Sequence, residues 1–432
     1  MEQLRIEPIT GPFDVDFSPP GSKSLTNRAM VLAALSTGSC KLDHALFADD
    51  TRVMIDGLRR LGFDVDAREA DESITIAGQG GTIPAASATL FCGNSGTTIR
   101  FLTALCAAGR GRFTLDGVPR MRQRPIGPLV GMLRNLGARV QFDAADGYPP
   151  VTLDACGLAG GLTRYGSELS SQYLSAVLQV APYARREVQI DLDGPQSSWP
   201  YITMTTRLMH EFGVTCELET DRDTGAPRRL IVPPGTYARD QFTVEPDASN
   251  ATYFLALAAV HRGGRVTVRG LGKDSLQGDV GFLNVLGDMG ANVELGRDFV
   301  RVEGTASLQG IDVDLGTMPD TAQTLAVAAL FADGPSTLRG LHTLRVKETD
   351  RLAALQTELT KLGADVDIDG DALSIHPPAK LRATDIDTYD DHRMAMSFAI
   401  AGTKSAGVRI NDPACVNKTY PRFFRDLRRF SP

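Results

Sequence analysis

"DRLAALQTELTKLGADVDI", residues 350–368, carries the pattern from which the fold can be read. Leu352, Leu355, Leu359 and Leu362 recur at the three- and four-residue spacing of one helix face. Leu362 then meets Gly363, and the chain changes to the alternation of "ADVDI", the period of a strand. The same junction returns at Leu61-Gly62, Leu136-Gly137, Phe212-Gly213 and Met289-Gly290, followed by "FDVDA", "ARVQF", "VTCEL" and "ANVEL". The five glycines stand 75, 76, 77 and 73 residues apart. A second apolar helix with a small polar head precedes each of these: "SKSLTNRAMVLAAL", "NSGTTIRFLTALCAA", "SSQYLSAVLQVA", "DASNATYFLALAAV" and "DTAQTLAVAALFA". A sixth start, "DHRMAMSFAIAG", begins the last unit. Each unit reads helix, strand, helix, strands, and a fixed period of this kind means one supersecondary unit reused.

Six units in 432 residues exceed one comfortable core. Three per domain gives an α/β protein of two similar domains. The chain crosses at Pro19-Pro20-Gly21 and again near residues 239–242, so residues 1–20 and 241–432 form one domain and residues 21–240 the other. Hinged domains hold a ligand in the cleft between them.

A net charge of −7 argues against nucleic acid as a partner. The longest apolar runs, such as "LAVAALFA" at 325–332, are far too short to span a bilayer, and "MEQLRIEPIT" lacks the pattern of a secretory signal. Six cysteines without a CxxC read as free thiols in a reducing cytoplasm. Six histidines never pair at metal-ligand spacing, so no metal is expected.

The polar helix heads are open to a plain reading, since Ser, Asp and Asn favour N-caps for stability alone. That reading suits "DASNATYF". It fails where Lys23, Arg28, Arg100 and Arg393 join the head, because a cation there opposes the helix dipole and a bound anion would offset the cost. "GSKSLTNR" is not a nucleotide-binding loop, which needs a further glycine five residues upstream of the second. "GNSGTTIR" offers bare backbone at Gly93 and Gly96. "PRMRQRPIG" places Arg120, Arg122 and Arg124 at spacing two, which an extended segment would point to one side. "LRVKETDRLAAL" sets Lys347, Glu348 and Arg351 at the head of a helix, where surface salt bridges are the competing reading. "YDDHRMAM" follows the same design, and "NDPACVNKTYP" presents Lys418. Such cations in an acidic protein are the footprint of small polyanions.

Taken in order, "GSKSLTNR", "GNSGTTIR", "RPIG", "LSSQYLSA", "MPDTAQT", "RVKETDR", "DHRMAM" and the lysine of "NKTYP" resemble the 5-enolpyruvylshikimate-3-phosphate synthase family through nearly the whole chain. The resemblance implies two domains, each three copies of a βαβαββ unit in an inverse α/β barrel-like arrangement, with the active site in the interdomain cleft. It implies an enzyme without cofactor or metal. The charge, the short apolar runs and the missing signal point to a cytoplasmic protein that binds neither nucleic acid nor membrane, and nothing demands more than a monomer. The implied reaction adds the 5-hydroxyl of shikimate 3-phosphate to the central carbon of phosphoenolpyruvate (PEP), then eliminates phosphate from the tetrahedral ketal.

Roles follow from the same resemblance. Ser24 and Arg28 match the shikimate carboxylate contacts; Ser170, Ser171 and Ser198 match the hydroxyls around its phosphate, with Gln172 and Tyr201 nearby. Asp320 matches the carboxylate on the ring hydroxyls and the base toward the attacking one. Lys23, Asn94, Gly96, Arg124 and Lys418 hold the PEP phosphate end, beside Gln172, and Arg351 and Arg393 clamp the PEP carboxylate. Glu348 protonates the methylene carbon, and Lys347 assists at the hydroxyl side; Lys23 and Lys347 also border shikimate 3-phosphate. With Gly96 in place, inhibition by glyphosate, which resembles PEP in that pocket, is also implied.

Three positions depart from the pattern. Thr343 stands where many relatives carry Asn, Phe101 stands where Pro is frequent, and "GSELSSQ" at 166–172 is one residue longer than some versions. The nearest alternative, the enolpyruvyl transferase acting on UDP-N-acetylglucosamine, places Asn after the opening lysine and a reactive cysteine before its arginine. Here Ser24 follows Lys23, and residues 111–123 contain no cysteine.

Overall fold

The recurring glycines end helices. Gly62, Gly137, Gly213, Gly290 and Gly363 all have φ between 88° and 104°, the left-handed region that a Cβ disfavours. Their N–H groups turn back to carbonyls of the last helical turn, as Gly363 does to Thr360 at 3.0 Å. The next residues run out as strands such as Asp365–Asp369.

The computed structural model describes residues 2–166, 170–194, 196 and 198–430. The chain separates into two compact units, Gly21–Val244 and Met1–Pro20 with Glu245–Pro432. Within Gly21–Val244 the second repeat shows the unit plainly. Ser87–Phe91 lies parallel to Arg110–Asp116, which is antiparallel to Val151–Cys156, and Val140–Phe142 closes the sheet. Helix Gly96–Ala108 makes the parallel crossover, and Gly127–Asn135 leads to the antiparallel pair. The third repeat and, in the other unit, the fifth repeat this four-strand order.

Two strands change places. Phe13–Phe17 pairs in parallel with Gly264–Arg269, supplying the first strand of the fourth repeat's sheet. Gln241–Thr243 pairs in parallel with Lys41–Asp43 and completes the first repeat's sheet. This pairing keeps residues 241–243 with Gly21–Val244.

The first helices of the repeats form the cores. Lys23–Leu35, Gly96–Ala108 and Gln172–Val180 pack on one another, as do Ala248–Val260, Ala322–Ala328 and His392–Lys404. All thirteen residues of Ala248–Val260 are buried, so this helix is apolar nearly all round. Several polar heads are N-caps: Ser22 accepts from Leu25 N–H, Ser95 from Thr98 N–H and Asp247 from Asn250 N–H. Each such cap contributes about 1 kcal/mol.

Candidate active site

Each unit carries its own set of charged side chains, built at the heads of its core helices. In Gly21–Val244, Lys23 is the first residue of its helix, and its Nζ lies 3.4 Å from Asp50 Oδ2. Asp50, buried in the first turn of helix Asp49–Arg60, offsets the unfavourable position of that cation.

Arg28 is different. Arg28 is 2 % exposed, and its donors go to neutral oxygens: Thr205 Oγ1 at 2.8 Å, Ser24 carbonyl at 3.1 Å, Ser175 Oγ at 3.2 Å and Tyr201 carbonyl at 3.5 Å. The ring of Phe101 lies beneath it, 5.2 Å to the centroid. Among the described residues no carboxylate pairs with Arg28, and burial pulls its pKa down to about 10. A cation so placed is stabilised by an anionic ligand.

Arg124 donates to the Asn94 carbonyl at 2.9 Å and to Asn94 Oδ1 at 3.2 Å. Arg100 Nη1 holds Gln172 Oε1 at 2.5 Å and approaches Ser170 Oγ at 3.5 Å, while its Nη2 donates to the Pro125 carbonyl. Gln172 in turn donates to Thr97. Gly96 leaves room for these guanidiniums, since a Cβ there would lie 2.7 Å from Arg124 Nη2 and 3.1 Å from Arg100 Nη1. Ser171 and Ser198 are buried, and Ser198 adopts φ 56°.

In the other unit, carboxylates crowd the cations. Arg351, 1 % exposed, donates from Nε to Asp391 Oδ2 at 2.7 Å and from Nη2 to Asp391 Oδ1 at 3.2 Å. Its Nη2 also meets Glu348 Oε2 at 2.9 Å, and its Nη1 lies 3.4 Å from Asp320 Oδ1. Burial lowers the pKa of Arg351, but the charges of Asp391, Glu348 and Asp320 outweigh it and the net shift is upward. Arg393 bonds Asp320 twice, from Nη2 to Oδ2 at 2.8 Å and from Nη1 to the carbonyl at 3.0 Å, and reaches Tyr253 Oη at 3.2 Å. Lys347 Nζ lies 3.5 Å from Asp320 Oδ1, and Lys418 Nζ lies 4.0 Å from Glu348 Oε1. Thus Asp320, Lys347, Glu348, Arg351, Arg393 and Lys418 form one cluster, whereas in Gly21–Val244 Arg124 and Gln172 are linked through Gly96 and Arg100, and Lys23 and Arg28 keep separate partners.

Some expectations change. Met121–Gln123 is a 3-10 turn rather than an extended segment, so Arg122 turns out to Asp116 and only Arg124 goes inside. Helix Arg351–Lys361 begins at Arg351 behind the N-cap Asp350, which leaves Lys347 and Glu348 on the approach rather than within it. Asp320 likewise sits in the 3-10 turn Pro319–Thr321 ahead of its helix. The extended segment 166–172 falls partly outside the described residues, at 167–169.

Asp50, Asp391, Tyr253 and Asp279 were missed as site residues. Asp279 hydrogen-bonds Ser249, and its pKa is pushed up to about 6 by burial and then by the charge of Asp320. Register within the repeat could have found two of them. Asp50 and Asp279 stand just ahead of or at the second helix of their repeats, where Arg124, Ser198 and Glu348 stand in theirs.

Comparison with known proteins bears on the whole chain. Residues 9–427 match the model of the family described as EPSP synthase (3-phosphoshikimate 1-carboxyvinyltransferase). A 3-phosphoshikimate 1-carboxyvinyltransferase of Shewanella denitrificans is 45% identical over 433 residues, covering 100% of this chain and 99% of its own. A Shewanella baltica protein of the same name is 45% identical, covering 99% of each. Among solved structures, an EPSP synthase from Acinetobacter baumannii superposes with a TM-score of 0.82 at 26% identity, covering 100% of this chain and 98% of that one.

Proposed function

The chain belongs to the EPSP synthase family, and from that premise we propose how its charged sets divide the work of one reaction. The enzyme transfers the carboxyvinyl group of PEP to the 5-hydroxyl of shikimate 3-phosphate and releases phosphate, a step of aromatic amino acid biosynthesis. The two substrates bring two phosphates, each at roughly −1.5 to −2, and two carboxylates.

Arg28, with Ser24, receives the shikimate carboxylate; its lack of a carboxylate partner among the described residues supports that role. Ser170, Ser171 and Ser198, with Gln172 and Tyr201, receive the phosphate of shikimate 3-phosphate. Thr343 Oγ1, buried and without a hydrogen-bond partner among the described residues, is available to the shikimate ring. Lys23, Arg124, Asn94 and the Gly96 backbone, with Lys418, bind the phosphate end of PEP, where the leaving charge develops.

Arg351 and Arg393 hold the PEP carboxylate. The observation that carries the acid–base assignment is the 2.9 Å contact of Glu348 with Arg351 Nη2. An incoming carboxylate competes for that nitrogen. A carboxyl that loses its guanidinium gains proton affinity, the direction a general acid needs to protonate the methylene carbon. Asp320, beside Lys347, takes the proton of the attacking hydroxyl. Addition and elimination then need only proton transfer and charge stabilisation from these side chains.

The substrates are small anions, and no described helix is long and apolar enough to cross a membrane. We take the protein to act as a cytoplasmic monomer; light scattering on the purified protein checks its mass. The reaction and its base are tested by phosphate release from PEP. Release should depend on shikimate 3-phosphate and fall about 10²–10⁴-fold in Asp320→Ala. Release driven instead by UDP-N-acetylglucosamine would overturn the reading.

A further inference from the structure

Glu358 is a completely buried carboxylate that none of the chemistry above uses. It lies seven residues beyond Arg351 on the same helix, Arg351–Lys361. Three donors reach it. Tyr389 Oη donates to Oε1 at 2.7 Å, Lys361 Nζ donates to Oε1 at 2.9 Å, and the Asp387 backbone N–H donates to Oε2 at 3.1 Å. Lys361 also holds Asp387 Oδ2 at 2.7 Å, and Asn411 holds Asp387 Oδ1 at 2.7 Å. One carboxylate therefore ties the helix that carries Arg351 to the segment that leads into Asp391.

That segment is strained. Tyr389 and Asp390 have φ of 57° and 54°, two consecutive side-chain-bearing residues in the left-handed region. Each costs on the order of 1–2 kcal/mol, and such a shape persists only where its surroundings over-determine it. Tyr389 is 40 % exposed, so packing does little to hold it. Its bond to Glu358 and the Asp387–Glu358 bond do, together with the turn's own Asp391 N–H to Thr388 carbonyl bond at 2.9 Å. The next residue, Asp391, is the bidentate partner of Arg351 and caps helix His392–Lys404 through Arg393 N–H at 2.9 Å. A closed circuit results: Arg351, its helix, Glu358, Tyr389, the strained turn, Asp391 and back to Arg351.

We infer that Glu358, acting through Tyr389 and the Asp387 N–H, is a positioning residue that holds the Tyr389–Asp390 turn and so aims Asp391, Arg351 and Arg393 at the PEP carboxylate. This inference rests on the proposed role of Arg351 and Arg393 as that carboxylate's clamp. A general scaffold residue would affect both substrates alike, whereas this one acts directly on the PEP clamp and reaches shikimate 3-phosphate only through Asp320.

Steady-state kinetics on the full-length Tyr389→Phe and Glu358→Gln variants, beside Arg351→Lys and the Tyr389→Phe/Arg351→Lys double variant, test it. Tyr389→Phe removes one hydroxyl at a half-exposed position and leaves the core intact. Its KM for PEP should rise about tenfold, the scale of one hydrogen bond to a charged group, while the KM for shikimate 3-phosphate stays within about twofold. Glu358→Gln should show the same split, more strongly. The double variant should lose less than the product of the two single effects, because both act on one element. If Arg351→Lys leaves the KM for PEP unchanged, the clamp assignment fails and this inference with it. If Arg351→Lys raises that KM while Tyr389→Phe moves both KM values equally or neither, the clamp stands and the positioning role is overturned.

Discussion

Arg28 and Arg351 are both buried guanidiniums in the early turns of helices, and they keep opposite company. Arg28 has only neutral oxygens and an aromatic face among the described residues, and burial lowers its pKa to about 10. Arg351 is held by Asp391, Glu348 and Asp320, and its pKa is raised despite burial. The first arrangement is a buried positive charge that an anion can neutralise directly. The second is already neutralised, so an anion enters it only by exchange, and exchange changes the proton affinity of the carboxyl displaced. On the proposed roles, Gly21–Val244 carries groups that grip, and the other unit, besides clamping the PEP carboxylate, carries the acid and the base, which makes it the reacting set.

Three substitutions break or sharpen that contrast. Glu348→Gln should have the largest effect, lowering kcat about 10²–10⁴-fold with KM values little changed, as measured by steady-state phosphate release. A comparable rise in KM with kcat intact would make Glu348 a binding group and erase the distinction. Gly96→Ala tests the gripping side. The added methyl would meet Arg124 Nη2 at 2.7 Å, and Arg124 is buried and tied to Asn94. The KM for PEP should rise about tenfold while the KM for shikimate 3-phosphate and the melting temperature hold, because one charged hydrogen bond is misplaced and no core is disturbed.

Asp279→Asn probes the charge of the reacting set through stability. The folded-state pKa of Asp279, about 6, stands above the ordinary 3.8. The folded protein therefore binds this proton more tightly than the unfolded chain. The stabilisation is fully present below 3.8 and is lost as pH rises through about 6. Asn cannot ionise, so the variant should gain on the wild type between pH 4 and pH 8 by on the order of 2–3 kcal/mol, read from urea unfolding at the two pH values. A difference independent of pH would mean that Asp279 stays charged throughout.

Much of the fold was legible because the recurring Leu-Gly junction has a single physical cause. A glycine in the left-handed region stops each second helix, and alternation resumes behind it. The exchange of Phe13–Phe17 and Gln241–Thr243 was not legible in detail, because strand partners are set by tertiary pairing and leave no local period. For the site, cations at helix heads were visible because they violate dipole preference. Their carboxylate partners were not. Asp50 and Asp391 look like ordinary helix-start residues, and only their 3.4 Å and 2.7 Å contacts with Lys23 and Arg351 reveal the pairing. Arg120 and Arg122 misled in the other direction, since spacing two suggests one face only if the segment is extended, and Met121–Gln123 is a turn.

The division between gripping and reacting sets is tested most directly by single-turnover phosphate release with both substrates saturating, comparing Arg28→Lys with Glu348→Gln. The lysine variant loses the planar fork but not the charge, so its defect belongs to binding and should largely vanish at saturation, within about tenfold of wild type. The glutamine variant should remain slower by about 10²-fold or more. Equal losses in the two variants would contradict the account.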